Sequence, residues 1–253
     1  MDLIDWLRKT CKGYEIKPIA VFARKGELNW PAHFSDEDAL VEALEAGKYF
    51  VALPKEPAAL ANVIEVSIVD FLLERFEELD GINAARGTER GYPDIEISGD
   101  ALGGCHAIDI KVARRAKNGR QTNSRITLYT GNTYFAHPQF KWPSTLRPFQ
   151  EYRSHVDIIA IYTFNAETMS RIEDLEIIVQ EPWKIASRKR SSTTREYLGA
   201  VMSIDDLRAG KGEFKSAEDF YKYWRAFKFK IPPAIIAQLR KLQAQLEKKD
   251  NKR

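Results

Sequence analysis

The order of apolar and polar residues predicts alternating helices and short strands along the chain. Two runs in the middle of the chain, 94–97 and 107–112, alternate isoleucines with charged residues, which is typical of half-buried strands. A glycine-rich segment at 98–104 lies between these runs and favours a turn. The two runs are therefore predicted to form a β-hairpin with a loose loop.

The remaining apolar patterns divide into helical and extended segments. The run at 156–163 is nearly continuously apolar, which is typical of a strand in a sheet that is covered on both faces. The aromatic residues at helical spacing in 216–229 are interpreted as core rather than as base-stacking residues. The other predicted helices are 2–9, 35–46, 57–79, 204–208 and one that begins at 232, and the other predicted strands are 49–53, 125–129, 175–179 and 198–202, with a hairpin over 19–30.

Three charged residues of the predicted hairpin are candidates for a catalytic site. Asp109 and Lys111 are two positions apart in a strand and so share one face, and Asp94 can join them from the neighbouring strand. Two carboxylates this close repel each other unless a cation lies between them or one is protonated. Mg²⁺ prefers oxygen ligands and is commonly held by one or two carboxylates together with phosphate oxygens. A lysine beside it can hold a water and offset charge on a phosphate under attack.

The alternative interpretation places Asp94 in a turn and makes Asp109 and Lys111 ordinary solvent-facing strand residues. Their combined spacing, on two strands with an apolar opposite face, favours a site instead. The pattern resembles the motif of the PD-(D/E)xK nuclease superfamily, which is short and degenerate.

A third carboxylate is predicted from the phase of the 57–79 helix. The acidic residues in the second half of this helix cluster on one side, whereas Glu65 lies nearly opposite them on the apolar stripe. A carboxylate on a buried face is costly unless it is paired or close to a metal. Either the helix starts at another residue and leaves Glu65 partly exposed, or Glu65 points towards Asp94 and Asp109.

Composition limits the class of protein without identifying it. The 253 residues are 44% hydrophobic and 30% charged, as in an ordinary globular protein, and one domain over 1–253 is expected. The chain has no apolar run of the roughly 20 residues that a membrane helix needs and no signal-like start, so a cytoplasmic protein without a membrane partner is expected. Cys11 and Cys105, with scattered histidines, form neither a disulfide framework nor a zinc cluster.

The distribution of charge is more informative than the net charge of +3. The segments 110–150 and 182–195 contain no acidic residue, yet each contains several lysines and arginines. A single basic run is usually a solvated face. Two such runs, one of which begins at the candidate metal site, favour a surface that binds a polyanion.

With these residues in view, the chain resembles the EcoRV restriction endonuclease family from about residue 57 to 228. The resemblance is carried by 91–94, 107–111, 210–214 and 220–225. Glu65 matches the family's helix carboxylate by its ungapped offset from Asp94. The 210–225 stretch is not part of the general nuclease motif, so the resemblance is specific to this family.

The resemblance implies an α/β (α+β) fold of the restriction-endonuclease type, in which helices flank a mixed β-sheet with a PD-(D/E)xK core. It also implies a homodimeric, Mg²⁺-dependent type II restriction enzyme that cuts both strands of double-stranded DNA at a short palindrome. DNA-binding and dimerisation elements are expected to be inserted around the catalytic core of the single domain. A cognate DNA methyltransferase that protects host sites is the expected companion, without a physical complex.

Two loops are implied to read the target sequence. The segment 188–197 matches the family's major-groove recognition loop, and the segment 88–90 matches its minor-groove loop. The candidate DNA-contacting residues are Thr88, Glu89, Arg90, Val112, Arg114, Arg188, Lys189, Arg190, Ser191, Ser192, Thr193, Thr194 and Arg195.

The chain departs from the family pattern mainly where DNA is read. The recognition loop holds basic and hydroxyl residues where the family is rich in glycine and asparagine. Arginine pairs naturally with guanine in the major groove, which predicts a different target that is richer in G·C, although each arginine could instead hold a phosphate. Val112 replaces a hydroxyl residue after the lysine, and 32–57 is interpreted as an insertion near the dimerisation region.

The predicted chemistry assigns a role to each site residue. Asp94 and Asp109 bind Mg²⁺ together with the carbonyl of Ile110. Lys111 orients the attacking water, Glu65 supports a second metal or its waters, and the products carry 5′-phosphates. Two alternatives stay open: another PD-(D/E)xK DNA nuclease, such as a junction resolvase or a repair nicking enzyme, and a catalytically silent DNA-binding protein on the same scaffold.

Overall fold

The computed structural model describes residues 1–16, 35–36, 38–39, 41–42, 56–88, 91–167 and 171–250. The predicted hairpin 19–30, the strand 49–53, half of the helix 35–46 and most of the 32–57 insertion lie outside the described residues, as do Glu89 and Arg90.

Side chains that accept hydrogen bonds from backbone N–H groups fix the starts of several helices. At the start of the helix predicted over 204–208, the Ser203 hydroxyl accepts a hydrogen bond of 3.2 Å from the Asp206 N–H. The aromatic helix is shorter than predicted and ends at Ala226, because Phe227 is extended and its ring packs back onto Trp224. In the described ranges the helices are α1 (Leu3–Cys11), α2 (Pro57–Glu77), α3 (Pro182–Ile185), α4 (Ile204–Ala209), α5 (Ala217–Ala226) and α6 (Pro233–Asp250).

The strands of the described ranges form two sheets. A five-stranded sheet has the order β1-β2-β3-β5-β6, in which only the β3–β5 pair is parallel, and a three-stranded antiparallel sheet has the order β4-β8-β7. Helices flank this mixed arrangement, as the predicted fold class requires. The strands are β1 (Asn83–Arg86), β2 (Ile95–Gly99), β3 (Gly104–Arg114), β4 (Thr127–Thr130), β5 (Ser154–Phe164), β6 (Ile172–Gln180), β7 (Ala186–Arg190) and β8 (Tyr197–Ala200).

The predicted central hairpin is confirmed as β2 and β3. The two strands are antiparallel, with Ile95 opposite Ile108. A short 3₁₀ turn, Asp100–Leu102, joins them, and Gly103 follows with φ of 68°, a left-handed conformation that favours glycine. The hairpin therefore has the face alternation that the sequence predicts.

Apolar side chains cover both faces of the five-stranded sheet. On one face α1 and α2 pack against Ile108, Ile110 and other isoleucines of the sheet. On the other face the three-stranded sheet and α5 pack against Ile159 and its neighbours. Phe220 and Trp224 are fully buried in this second core, which confirms that the aromatic residues of α5 are mainly packing residues. Within the described ranges no helix is long and apolar enough to cross a bilayer.

Candidate active site

The central hairpin brings Asp94 and Asp109 side by side. Asp94 directly precedes β2, and the register that pairs Ile95 with Ile108 places Asp94 opposite Asp109. The Asp94 Oδ2 atom accepts a hydrogen bond of 2.6 Å from the Ile110 N–H, which fixes the carboxylate against β3. The two predicted carboxylates therefore share one small volume at the start of β2.

Lys111 completes this arrangement from the same face of β3. Its ammonium group forms an ion pair with the Asp109 carboxylate. The Lys111 side chain is 19% exposed and the Asp109 side chain 7% exposed, so the pair is largely shielded from water yet open at one side. Burial by itself lowers the pKa of Lys111, but the charges of Asp109, Asp94 and Asp157 raise that pKa above its usual range. Lys111 is therefore a permanent cation in the metal-free site.

The proximity of Asp94 to Asp109 helps to raise the pKa of Asp94. Burial, followed by repulsion from the Asp109 carboxylate, raises the pKa of Asp94 to about 9. Without a bound metal ion, Asp94 is thus protonated at neutral pH. A site that holds one carboxyl neutral in this way is ready to exchange the proton for a metal ion.

Glu65 lies on α2, half-buried, at the edge of the same site. Burial raises the pKa of Glu65, the charge of Lys111 lowers it, and the charge of Asp109 raises it. Glu65 is thus close enough to Lys111 and Asp109 to interact electrostatically with both. Of its neighbours on the apolar stripe, Ile68 and Leu72 are buried, which agrees with the helical phase deduced from the sequence.

Asp157, which the sequence reasoning missed, is the neighbour of Asp109 on its other side. It lies on β5 directly opposite Asp109 in the parallel β3–β5 pair. The residue is 1% exposed, and neither carboxylate oxygen has a hydrogen-bond partner among the described residues. The sequence does show that Asp157 is a lone aspartate within the apolar run 156–163. Its pairing with Asp109, however, depends on a register that the sequence does not reveal.

An aromatic cluster supports the turn that carries Asp94. The Tyr92 hydroxyl and His155 Nδ1 share a hydrogen bond of 2.6 Å, and the Tyr92 ring stacks on Tyr134 with centroids 5.0 Å apart. Burial lowers the pKa of His155 to about 3, so this imidazole is neutral. The peptide between Tyr92 and Pro93 is cis, and the packed Tyr92 ring holds the following Asp94 beside β3.

The donor atoms suit a hard divalent cation. Asp94 and Asp109 offer carboxylate oxygens from neighbouring segments of the hairpin, and Ile110, the residue after Asp109, adds a backbone carbonyl. Among the described residues no three histidine, cysteine or acidic side chains are already grouped as a metal cage. Two carboxylates with open positions fit an ion that keeps waters and shares phosphate oxygens, as Mg²⁺ does.

The predicted recognition loop is a strand hairpin with a short tip. Arg188 to Arg190 belong to β7, and Arg190 pairs with Leu198 of β8, so the loop itself is limited to 191–196. The predicted recognition segment 188–197 therefore includes strand residues at both ends, and its role in reading DNA stays a prediction. Arg190 Nη1 lies 2.7 Å from Glu196 Oε1, a non-local contact that closes the hairpin across its tip.

The 210–225 stretch supports the base of this hairpin. The Arg188 guanidinium lies over two rings, 4.9 Å from the centroid of Phe214 and 4.8 Å from that of Tyr223. The Arg188 N–H also donates to Glu213 Oε2 at 2.7 Å. Arg188 is therefore held by its own chain.

The tip of the hairpin offers groups that can reach a ligand. Lys189, Thr193, Thr194 and Arg195 are exposed. Ser191 and Ser192 are half-buried and organise the tip: the Ser191 hydroxyl contacts Thr127 Oγ1 at 2.7 Å, and the Ser192 hydroxyl accepts from the N–H groups of Thr194 and Arg195 at 3.2 Å.

The remaining candidate DNA-contacting residues are dispersed around the catalytic sheet. Thr88 is exposed shortly after β1, next to the undescribed Glu89 and Arg90. Arg114 is half-buried at the end of β3. Val112 packs against the core on the helical side of the sheet, so its side chain lies on the face opposite Lys111.

A mixed sheet that carries Pro93-Asp94 and Asp109-x-Lys111 on adjacent antiparallel strands defines a nuclease of the restriction-endonuclease type. The family model described as restriction endonuclease EcoRV matches residues 28–249. The chain therefore belongs to the EcoRV restriction endonuclease family and is a site-specific deoxyribonuclease whose substrate is DNA. Endonucleases of this kind depend on a divalent metal ion. No curated protein matches the chain.

Proposed function

We propose that this enzyme uses Mg²⁺ to cut both strands of double-stranded DNA at a short palindrome. The observation that carries the proposal is the placement of Asp94, Asp109 and Lys111 on one face of two adjacent strands, in a chain of this family. A symmetric dimer presents two equal sites to a duplex, and the matching target is a palindrome. The proposed assembly is therefore a homodimer.

The side chains have distinct roles in the proposed reaction. Asp94 and Asp109, with the Ile110 carbonyl, would hold Mg²⁺, and the bound ion would supply Lewis-acid polarisation of the scissile phosphate and of an attacking water. Lys111 orients the attacking water and offsets the negative charge that develops on the phosphate. Glu65 supports a second metal ion or its waters. Departure of the 3′ oxygen leaves a 5′-phosphate and a 3′-hydroxyl.

The proposed cellular role is defence by restriction and modification. A single domain over 1–253 carries both the catalytic sheet and the recognition hairpin. The enzyme acts in the cytoplasm, where a cognate DNA methyltransferase protects the host's own copies of the target without forming a complex with it.

Digestion of a long DNA of known sequence tests this function. Purified protein is incubated with the DNA in Mg²⁺ or in EDTA, and the fragment ends are sequenced. We expect discrete fragments in Mg²⁺ only, with 5′-phosphates at a repeated palindromic sequence. The Asp109→Asn protein, purified in the same way, controls for a contaminating nuclease.

Two results would contradict the proposal. Intact DNA that nevertheless binds the protein tightly would favour a catalytically silent DNA-binding protein. Cleavage confined to branched or mismatched DNA would favour a junction resolvase or a repair nicking enzyme.

The exposed Arg195 is expected to read a base at the hairpin tip. Among the described residues its guanidinium contacts Tyr197, whose hydroxyl oxygen lies 3.3 Å from Arg195 Nη1, whereas Arg190 is bound to Glu196. Arg195→Ala should therefore lose about 1–3 kcal/mol of discrimination between the target and single-base variants. Cleavage rates on a set of such variants measure this loss.

The matched control for Arg195→Ala is Arg75→Ala, which removes the same charge from the exposed side of α2. The control should keep the discrimination of the wild-type enzyme. If Arg195→Ala weakened cleavage of every sequence equally, Arg195 would be a phosphate contact instead.

A further inference from the structure

Asp157 extends the row of carboxylates across the sheet beyond the site described above. Asp94, Asp109 and Asp157 occupy adjacent positions on β2, β3 and β5, on the same face. Asp94 and Asp109 lie beside a metal position in the proposed mechanism. Asp157 is separated from Asp94 by β3 and is fully buried, so it faces Asp109 and Lys111 from the side opposite to Asp94.

A buried carboxylate without a partner is expensive, and Asp157 has none in the described chain. Both of its oxygen atoms lack hydrogen bonds, although every other acidic side chain at the site has a defined contact or a partly exposed position. Burial raises the pKa of Asp157 well above its usual range, the charge of Lys111 lowers it, and the charge of Asp109 raises it. The cation closest to satisfying Asp157 is therefore the ammonium group of Lys111.

In the metal-free site Lys111 binds the same carboxylate that the metal ion would bind, and Asp157 offers the ammonium group another acceptor. The Lys111 ammonium is bound to the Asp109 carboxylate, which is also a ligand for Mg²⁺ in the proposed function. A metal ion at Asp109 competes with the ammonium for the same oxygen atoms and repels it. Neighbouring strands are about 4.8 Å apart, a distance that the flexible lysine side chain can span.

We propose that Asp157 is a positioning residue for Lys111, which receives the ammonium group when a cation occupies Asp109. This inference rests on the proposed function, because it requires a metal ion at Asp94 and Asp109. In the metal-bound state Lys111 is held between Asp157 and the reacting phosphate instead of being repelled from the site. The positive charges of the divalent ion and of Lys111 then balance the negative charges of the three aspartates.

A double-mutant cycle on metal binding tests this role without relying on cleavage. Mn²⁺ is titrated calorimetrically into the full chain in four forms: wild type, Asp157→Asn, Lys111→Met and the double variant. We expect Asp157→Asn to weaken Mn²⁺ binding roughly tenfold when Lys111 is present, because the displaced ammonium then has no acceptor. In the Lys111→Met background the same change should alter binding by less than about threefold.

Control variants show whether a change in Mn²⁺ affinity arises from lost charge or lost folding instead of from the loss of an acceptor for Lys111. Asp100→Asn removes one negative charge from an exposed residue beyond the far end of β2 and should leave Mn²⁺ binding unchanged. Asp157→Val replaces the carboxylate with an uncharged side chain that is common in strands. It repeats the test in case the asparagine variant folds poorly. Circular dichroism and thermal unfolding establish that each variant is folded.

Each outcome decides between the assignments. An equal loss of affinity in both Lys111 backgrounds would make Asp157 a direct metal ligand and overturn the positioning role. Unchanged affinity in both backgrounds would overturn it as well and leave Asp157 as a packing residue. A wild-type protein that neither binds Mn²⁺ at millimolar concentration nor cuts DNA would refute the proposed function itself, whereas wild-type cleavage with an uncoupled cycle refutes only this inference.

Discussion

Asp94→Asn is expected to reduce the single-turnover rate of DNA cleavage by at least about 10³-fold at saturating Mg²⁺, because the amide removes an anionic metal ligand. Lys111→Ala should have a loss of similar size, since it removes the group that stabilises charge on the phosphate. Rapid-quench assays on an oligonucleotide that contains the target measure both losses. Asp94→Asn should not destabilise the metal-free protein at neutral pH, because the Asp94 side chain is already uncharged there.

Glu96→Gln is the matched control for Asp94→Asn. Glu96 lies two residues further along the same face of β2, where its carboxylate accepts hydrogen bonds of 2.8 Å from Arg147 and from Tyr152. Its replacement weakens the ion pair with Arg147 and removes none of the proposed metal ligands, so cleavage should stay within a few-fold of the wild-type rate. Wild-type turnover by Asp94→Asn would refute the metal-ligand assignment.

The second large effect concerns the stability of the metal-free protein, which is expected to fall as pH rises from 7 to 9. The pKa of Asp94 is raised to about 9 in the folded protein, against an ordinary value near 3.9 in the unfolded chain. In this window the unfolded chain has lost a proton that the folded chain keeps, so increasing pH favours unfolding. One such group contributes roughly 1.4 kcal/mol per pH unit.

Urea denaturation in EDTA at pH 7, 8 and 9 measures this slope. The window lies above the ordinary pKa of histidine, so the buried His155, whose pKa is lowered to about 3, does not oppose the effect. Asp94→Asn should reduce the slope, and saturating Mg²⁺ should oppose it because metal binding displaces the proton. A wild-type stability that is flat or rises with pH would show that Asp94 is ionised without metal.

The residues of the catalytic hairpin could be predicted because their relation is local. The face shared by Asp109 and Lys111 follows from the period of two, and the turn between β2 and β3 follows from its glycines. The helical period likewise placed Glu65 opposite the exposed acids of α2. Such inferences need only the order of residues within one or two elements.

The parts that the sequence did not reveal depend on pairing between distant segments. Asp157 meets Asp109 through a parallel register across the long connection 115–153, from β3 (Gly104–Arg114) to β5 (Ser154–Phe164), and no local pattern specifies that register. The short recognition tip likewise depends on the contact of Arg190 with Glu196 and on the rings that hold Arg188. Both features arise from tertiary contacts.

In the proposed function, hydrolysis and target choice belong to different sheets of the described structure. The carboxylates belong to the sheet that contains β2, β3 and β5, whereas the recognition hairpin is built from β7 and β8 of the other sheet, whose base is packed into the shared core. Changes confined to 191–196 therefore leave the hydrolytic machinery untouched. Under the proposed function, a lineage can acquire a new cutting site through changes in this segment, and its survival would then depend on whether the proposed protective methylation changes at the same pace.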